Sequence, residues 1–143
     1  MTVAAILAQK GRDVVTTSAD TSVADAVKIL GEHKIGALVV VENRDRIVGI
    51  VSERDIVKAL ARNGVEMLAG TVGSIMTRNV VTCIERETIN DVMGRMTRGR
   101  FRHLPVAAGG RLTGIVSIGD VVKARIEEVE REAEEMRAYI ATA

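Results

Sequence analysis

The alternation of hydrophobic and polar positions along this chain predicts strands and helices in a fixed order. β-branched and continuous apolar runs of strand length alternate with apolar positions at helical spacing, and polar turns separate them. The predicted segments are a strand at 14–17, a helix from 22, a strand at 37–41, a returning strand at 47–51 and a helix from 52 to about 63. The last of these helices is expected to bury Ile56, Val57 and Leu60.

Helix-start signals support these boundaries. Thr2 is placed to cap a short helix over residues 2–10, which Gly11 ends. Ser22 precedes Asp25 at the spacing of a capping box, and Thr88 and Asp91 repeat that spacing. Each pair therefore predicts the first turn of a helix.

The whole pattern occurs twice. Thr82 follows its counterpart Thr16 by 66 residues, and after one residue is lost in the hairpin turn Asp120 follows Asp55 by 65. Each repeat of about 50 residues is small for a core of its own, so a shared core is expected. The predicted organisation is an N-terminal helix at 1–12, repeats at 13–63 and 80–126, a linker at 64–79 and a helical extension at 127–143.

The C-terminal segment has a different pattern. Its apolar positions recur at alternating spacings of four and three residues, with charged residues between them: Val122, Ile126, Val129, Ala133, Met136 and Ile140. This a/d pattern is typical of a helix that pairs with another helix. Two interpretations stay open, namely packing on its own domain and pairing across a homodimer.

Composition narrows the functional classes. A formal net charge of +1, one Phe, one Tyr and no Trp disfavour nucleic acid as a partner. No apolar run is long enough for a membrane span. The single cysteine, Cys83, suits a reducing compartment and lies in an apolar strand, where a core role is favoured over a nucleophilic one. We therefore expect a cytoplasmic protein without a membrane partner.

One motif carries the chemistry. The sequence Gly-Ile-Val-Ser-x-x-Asp stands at residues 49–55 and again at 114–120. Each copy predicts a strand that ends at a serine, followed by a helix whose first turn carries an aspartate. A carboxylate accepts both hydrogen bonds of a sugar diol, and a helix N-terminus favours an anion. The competing interpretation is that Ser52, Asp55, Ser117 and Asp120 merely cap two helices.

In these features the chain resembles a tandem pair of CBS domains, the cystathionine-β-synthase-type regulatory module. The doubled motif, the linker phrase at residues 74–82 and the strand entry Arg-His-Leu-Pro-Val at 102–106 carry the resemblance, which spans about residues 10–126. It implies an α+β (mixed α/β) fold of two β-α-β-β-α repeats with pseudo-two-fold symmetry and two clefts between them. It also implies binding of AMP, ADP or ATP, in some members of NAD(H) or S-adenosylmethionine, and dimerisation into a disc of four repeats.

The resemblance also implies roles for individual residues. Asp55 and Asp120 take the ribose hydroxyls, and Ser52 and Ser117 contact phosphate or ribose. The adenine lies against the strands, where the implied lining residues are Thr16, Thr17, Ala37, Leu38 and Val39 in the first repeat and Thr82, Cys83, His103, Leu104 and Pro105 in the second.

Phosphate groups require cations, and the basic residues are distributed unequally between the repeats. Arg102 and His103 stand at the strand entry of the second repeat, and Arg54 stands at the helix start of the first. The alternative for each arginine is an ordinary surface cation. We expect the Asp120 site, with its basic neighbours, to bind better than the Asp55 site.

The sequence does not favour an enzyme, because it lacks a nucleophile elbow, a phosphate-binding loop and His or Cys residues at metal-ligand spacing. The expected function is a nucleotide-binding regulatory module that acts on an unidentified regulated protein. The alternative is a structural homodimerisation adaptor with vestigial clefts. A role with nucleic acid has the least support.

Overall fold

The computed structural model describes residues 1–142. Its helices are α1 (Val3–Lys10), α2 (Val23–His33), α3 (Glu53–Asn63), α4 (Val72–Ile75), α5 (Ile89–Gly99) and α6 (Ile118–Thr142), with a 3-10 helix at Val65–Ala69. Its strands are β1 (Thr16–Thr17), β2 (Ala37–Glu42), β3 (Arg46–Ser52), β4 (His103–Ala108) and β5 (Arg111–Ser117). The predicted mixed α/β fold, with an N-terminal helix and a long C-terminal helix, is confirmed.

The chain divides into two compact units, and each is built mainly from one repeat. The first-repeat unit contains residues 13–81 and 107–113, whereas the second-repeat unit contains residues 1–12, 82–106 and 114 onwards. The N-terminal helix α1 therefore belongs to the second-repeat unit, although the first repeat follows it in the chain.

In the first-repeat unit the strands β1, β2 and β3 form a continuous ladder. β1 pairs in parallel with β2, with Thr16 opposite Val39. β2 then pairs antiparallel with β3, with Ala37 opposite Ser52. Because β1 and β2 are parallel, α2 provides the crossover between them. Helix α3 follows β3 directly, so the motif serine is both the last residue of the strand and the cap of the helix.

The second-repeat unit reproduces this arrangement. The backbone N–H of Cys83 donates to the carbonyl of Pro105 at 3.0 Å, which forms a parallel bridge where β1 stands in the first repeat. β5 has the same length and the same order of buried and exposed residues as β3. The repeat predicted from the sequence is therefore confirmed at the level of individual strands.

The hairpin turns explain the change of offset between the repeats. The first turn has positive φ at Asn43 and Arg44, and the second, one residue shorter, has positive φ at Gly109 and Gly110. Two consecutive residues with positive φ are what a tight two-residue hairpin turn requires, and glycine adopts that conformation at least cost. The predicted loss of one residue in this turn is confirmed.

Two details of the predicted elements were wrong. The first strand covers only residues 16 and 17, since it lies at the edge of the sheet and pairs with one neighbour. The inner face of α3 consists of Ile56 and Ala59, while Val57 is 63% exposed and Leu60 is 38% exposed. Ile56 and Ala59 are three residues apart and share the buried face. Val57 is adjacent to Ile56 and points away from that face, and Leu60 lies at its margin.

Each unit contains a buried cluster of its own, where the sequence predicted one shared core. In the second-repeat unit the cluster includes Ile6 and Leu7 of α1, which are 4% and 1% exposed. In the first-repeat unit it includes Val72 of α4 and Met76, which follows that helix. Short segments outside the β-α-β-β-α repeats thus complete both cores.

The motif glycines, Gly49 and Gly114, leave space for side chains from these added segments. A Cβ atom on Gly114 would lie 2.8 Å from the Leu7 side chain, and one on Gly49 would lie 2.5 Å from the sulfur of Met76. Neither distance is compatible with a side chain in the present packing. The first position of the motif is therefore glycine because another side chain occupies the space above it.

The first two turns of helix α6 bury apolar side chains in the second-repeat unit, and further along the helix the Glu128 carboxylate pairs with the Met1 ammonium at 2.8 Å. Val121 and Ala124 are buried, whereas Val122, Ile126, Val129, Met136 and Ile140 of the a/d stripe are 43 to 68% exposed. In the described residues no helix is both long enough and apolar enough to cross a membrane. The exposed stripe is therefore that of an amphipathic helix whose apolar positions are not covered by any other part of the described residues.

Candidate ligand-binding site

The first candidate site is built on Asp55 at the start of α3. The Ser52 Oγ accepts a hydrogen bond from the Asp55 backbone N–H at 3.3 Å, and the Asp55 Oδ2 accepts from the Ser52 backbone N–H at 2.9 Å. These reciprocal bonds form a complete capping box. The carboxylate is thereby fixed at the helix N-terminus, where strand β3 ends.

Asp55 has a further contact from outside the motif. The Thr77 Oγ1 donates to the Asp55 Oδ1 at 3.3 Å. Thr77 reaches this position because its backbone exchanges two hydrogen bonds with Ile50 of β3, at 2.8 and 2.9 Å. The other carboxylate oxygen of Asp55 thus receives a hydrogen bond from a neutral hydroxyl.

The second candidate site is built on Asp120 at the start of α6. The Asp120 Oδ2 accepts from the Ser117 backbone N–H at 2.9 Å, and the Ser117 Oγ accepts from the Asp120 backbone N–H at 3.1 Å. The same capping box is therefore present in both repeats. Ser52, Asp55, Ser117 and Asp120 have the cap geometry that the sequence left as one of two interpretations.

A lysine approaches this second carboxylate. The Lys10 Nζ, at the end of α1, lies 2.7 Å from the Asp120 Oδ2 and donates to the Ile115 carbonyl at 3.0 Å. A small cavity of about 90 Å³ lies beside the pair, lined by Ile6, Gln9, Lys10, Asp120, Lys123 and Ala124. Asp120 is thus ion-paired where Asp55 is hydrogen-bonded to a hydroxyl.

The ion pair changes the titration of Asp120. Partial burial raises the pKa of this carboxyl, but Lys10 and the Ser117 N–H stabilise the ionised form and outweigh that effect. The pKa of Asp120 consequently lies below its ordinary value. The carboxylate is therefore ionised at neutral pH.

The adenine-lining candidates lie on the strands as expected, but several point into the core. Leu38 and Leu104 are fully buried and Cys83 is 2% exposed, and all three belong to the buried clusters. Ala37, Val39 and Pro105 are also buried, whereas Thr16, Thr17, Thr82 and His103 are partly exposed. A base at these strands would therefore meet backbone and threonine side chains more than the leucines.

Two of these threonines make hydrogen bonds within the chain, Thr17 through its hydroxyl and Thr82 through its backbone carbonyl. The Thr17 hydroxyl donates to the Thr21 Oγ1 at 2.9 Å. The Thr82 carbonyl accepts from the Arg95 Nη1 at 2.8 Å, and Arg95 also pairs with Glu87 at 2.6 Å. These contacts hold the strand entrances in place.

The candidate phosphate-binding residues remain near the helix starts. Arg54 is exposed on the first turn of α3, and Arg102 is exposed immediately before β4. The Arg102 carbonyl accepts from the N–H of Ile118, the first residue of α6, at 2.8 Å. The strand entry that carries Arg102 and His103 is therefore tied to the start of the helix that carries Asp120.

Cys83 is suited to the core and not to nucleophilic chemistry. Burial, with the nearby Glu87 carboxylate, raises the pKa of its thiol to about 12. A thiol with that pKa is protonated at neutral pH and unreactive. Among the described residues no cluster of His, Cys, Asp and Glu could hold a metal ion.

Comparison with known proteins identifies the family. The sequence model of the CBS domain matches this chain twice, at residues 7–62 and 72–127. The chain belongs to the CBS-domain family. The resemblance that the sequence suggested is confirmed.

Solved CBS structures resemble the whole fold. The CBS-domain protein ATU1752 of Agrobacterium tumefaciens is 51% identical, with a TM-score of 0.83 over 87% of this chain and 92% of that one. The CBS domain pair of protein MJ0100, solved with 5′-methylthioadenosine and S-adenosyl-L-methionine, is 32% identical, with a TM-score of 0.79 over 90% and 98%. PAE2072 of Pyrobaculum aerophilum, solved with AMP, is 25% identical, with a TM-score of 0.74 over 84% and 89%.

Sequence reasoning missed Lys10 and Thr77 as site residues. They contact the two aspartates from outside the Gly-Ile-Val-Ser-x-x-Asp motif. A signal for them was present, because at the repeat offset of 66 residues Thr77 aligns with Gly11, the neighbour of Lys10. The two segments therefore occupy corresponding places before each repeat. The alignment does not show that each segment packs with the other repeat. The segment before the first repeat belongs to the second-repeat unit, and the segment before the second repeat belongs to the first-repeat unit.

Proposed function

We propose that this CBS-domain chain is a non-catalytic regulatory module that binds an adenine nucleotide and signals through its conformation or its affinity for a regulated protein. The ligand class is AMP, ADP or ATP, with NAD(H) and S-adenosylmethionine as further members that contain adenosine. The observation that carries the proposal is the doubled carboxylate: Asp55 and Asp120 stand in the same capping box at the end of equivalent strands.

Capping and ligand binding are compatible at these aspartates. An ionised carboxylate offers about four acceptor positions, and the described protein donors use two of them at Asp120 and three at Asp55. A ribose diol can therefore donate to Asp55 or Asp120 while the cap stays intact. The cap holds the carboxylate still, which lowers the entropic cost of binding.

The neighbours with bound molecules support the choice of ligand class. AMP, 5′-methylthioadenosine and S-adenosylmethionine, found with PAE2072 and MJ0100, share adenine and ribose and differ at the 5′ position. A site that recognises the ribose through a carboxylate fits the shared part. The 5′ group would then contact the side chains at the starts of α3 and β4, namely Arg54, Arg102 and His103.

A thermal-shift screen followed by calorimetric titration tests this function. The full chain is mixed with AMP, ADP, ATP, NADH or S-adenosylmethionine, and a ligand at about 100 times its Kd should add about 2.7 kcal/mol of stability. In Asp120→Asn most of this gain should disappear, because the charged acceptor for the diol is lost. Asp55→Asn should remove a smaller part.

Asp25→Asn is the matched control. Asp25 holds the same position in α2 relative to its cap, Ser22, but lies on an exposed turn. Its substitution should leave binding unchanged. If none of the five ligands shifts the melting temperature at millimolar concentration, the proposed function is wrong.

The exposed stripe of α6 favours a second candidate function, a structural homodimerisation adaptor. Ile126 and Val129 are 52% and 46% exposed, and Met136 and Ile140 continue the same stripe at a/d spacing. Exposed apolar residues at this spacing are typical of a helix that pairs with a copy of itself. The proposal is that two chains associate through this stripe.

Removal of residues 127–143 tests the adaptor. Light scattering should give the mass of a dimer for the full chain and that of a monomer for the truncated chain. A matched full-length variant, Val129→Glu with Met136→Glu, should also be monomeric. A truncated chain that remains dimeric excludes α6 as the main dimer contact.

A further inference from the structure

Among the described hydrogen-bond partners of Asp120, Lys10 is the one that lies outside both copies of the Gly-Ile-Val-Ser-x-x-Asp motif. Its ammonium lies 2.7 Å from the Oδ2 of Asp120 and 3.0 Å from the Ile115 carbonyl oxygen. We infer that Lys10 is an internal competitor, which occupies the ribose-binding carboxylate until a ligand displaces it. This inference rests on the proposed function and names a means of regulation at the same site.

The position of Lys10 is fixed by the packing of α1. Ile6 and Leu7 bury their side chains in the second-repeat core, and the N–H of Gly11 closes the helix by donating to the Leu7 carbonyl at 2.8 Å. The last turn of α1 therefore stands beside α6 whether or not a ligand is present. Only the Lys10 side chain has to move for the carboxylate to become available.

The chemistry of the exchange explains why Lys10 competes. Hydrogen bonds from the Lys10 ammonium and from a ribose hydroxyl to an ionised carboxylate are both charge-assisted, but only the ammonium adds the attraction of a full positive charge. A ligand that displaces Lys10 therefore loses this attraction and must recover the difference elsewhere. Its apparent Kd equals the intrinsic Kd divided by the fraction of molecules in which Lys10 does not cover Asp120.

The space at Asp120 agrees with a covered site. The cavity of about 90 Å³ that Lys10 and Asp120 line is well below the roughly 300 Å³ at which small-molecule pockets begin. Displacement of the Lys10 side chain enlarges this space at the carboxylate itself. Lys123, which also lines the cavity, keeps a positive charge nearby after the displacement.

The first repeat has no equivalent competitor among its described contacts. Asp55 receives the Thr77 hydroxyl at 3.3 Å, a longer contact from a neutral donor. A ribose hydroxyl can replace that hydroxyl with little change in bond type. Among the described contacts, an internal cation therefore reaches the carboxylate only at the Asp120 site.

The test measures ligand affinity at Asp120 alone. Full-length Asp55→Asn, which retains the second site, is titrated calorimetrically with AMP and with the uncharged 5′-methylthioadenosine, and the same titrations are repeated with Lys10→Gln added. Loss of the competitor should tighten binding about three- to tenfold, which corresponds to Asp120 being uncovered in about one third to one tenth of the molecules. Lys10→Arg, which keeps the cation, should bind as weakly as the Asp55→Asn parent, and Lys10→Met replaces Lys10→Gln if the latter does not fold.

The control is Lys28→Gln, which removes an exposed lysine of α2 and should leave affinity unchanged. Unchanged or weaker binding after Lys10→Gln overturns the inference, and weaker AMP binding alone identifies Lys10 as a phosphate contact instead. Absence of binding by the wild type and every variant overturns the proposed function together with the inference. The two failures are thus distinguished by whether the wild type binds.

Discussion

The two CBS repeats hold their aspartates in the same way but surround them differently. Asp55 and Asp120 both form a capping box with the preceding serine. The third partner is the Thr77 hydroxyl in the first repeat and the Lys10 ammonium in the second. The repeated motif therefore sets the position of the carboxylate, while the added segment sets its electrostatic environment.

The same contrast extends to the packing. Leu7 of α1 fills the space above Gly114, and Met76 fills the equivalent space above Gly49. Leu7 is branched and 1% exposed, whereas Met76 is unbranched and 8% exposed, so the methionine can adapt its shape more readily. The side chain that covers the motif glycine is therefore more deeply buried in the second repeat.

The largest expected effect comes from Leu7→Ala. It removes a fully buried side chain of the second-repeat core and should lower the free energy of unfolding by about 2–5 kcal/mol. Hydrogen exchange followed by NMR checks the location of the effect. Backbone amides of Val106 and Val116 in the second-repeat unit should lose protection, whereas those of Val40 and Val51 in the first-repeat unit should lose less.

Val65→Ala serves as the control, since Val65 is 73% exposed and its truncation should change stability by no more than about 0.5 kcal/mol. Greater loss of protection in the first-repeat unit than in the second would contradict the assignment of α1. That result would place the N-terminal helix with the repeat that follows it in the chain.

A smaller effect is expected from alanine at the motif glycines. Gly114→Ala forces a Cβ atom against Leu7 and should cost about 1–3 kcal/mol by overpacking. Gly49→Ala should also destabilise the chain. Its Cβ atom would lie 2.5 Å from the Met76 sulfur, which can change rotamer, but also 3.1 Å from the Thr77 carbonyl oxygen, which belongs to the backbone. Urea denaturation of both variants measures the two costs.

Gly31→Ala is the matched control for the two glycines. Gly31 lies inside α2, and a Cβ atom there would meet no atom within 4 Å. Alanine should stabilise the chain by up to about 1 kcal/mol through its higher helix propensity. Unchanged stability of Gly114→Ala or Gly49→Ala would contradict the close packing of Leu7 or Met76 above these glycines.

The sequence predicted the repeated elements because their signals are local. Apolar runs, cap residues and a turn with positive φ depend on a few neighbouring residues, so the strand pairings and the lost turn residue were confirmed. The edge strand at residues 14–17 was overestimated, because strand length at an edge depends on the partner's backbone. Val57 was misplaced because adjacent apolar residues leave the direction of a helix face ambiguous.

The candidate site was predicted only in part for a related reason. Asp55 and Asp120 belong to a motif with local spacing, but their partners Thr77 and Lys10 come from distant segments. Lys10 is 110 residues from Asp120 in the chain, and no local pattern records that contact. Ligand-lining roles for Leu38 and Leu104 were likewise inferred from strand position, which does not indicate the side that each residue faces.

The smallest expected effect concerns acid. Because Lys10 and the Ser117 N–H hold the pKa of Asp120 below its ordinary value, the ionised carboxylate stabilises the folded chain. That contribution is fully present above the unfolded pKa of about 3.9 and is lost as the pH falls through the lower folded value. The stability difference between wild type and Lys10→Gln should therefore shrink in acid. At neutral pH it should be at most about 1 kcal/mol, because the pair is partly exposed.

Urea denaturation of wild type and Lys10→Gln at pH 7, 5, 4 and 3 follows this difference, and an NMR titration of the Asp120 carboxyl should show its pKa rising in the variant. Lys28→Gln should show no comparable pH dependence, since it removes a lysine without this carboxylate partner. A difference that stays constant down to the lowest pH would mean that Lys10 stabilises only the end of α1, through the helix dipole, and not the charge of Asp120. In that case Lys10 would not restrict access to Asp120, and the carboxylates of the two repeats would be equally available.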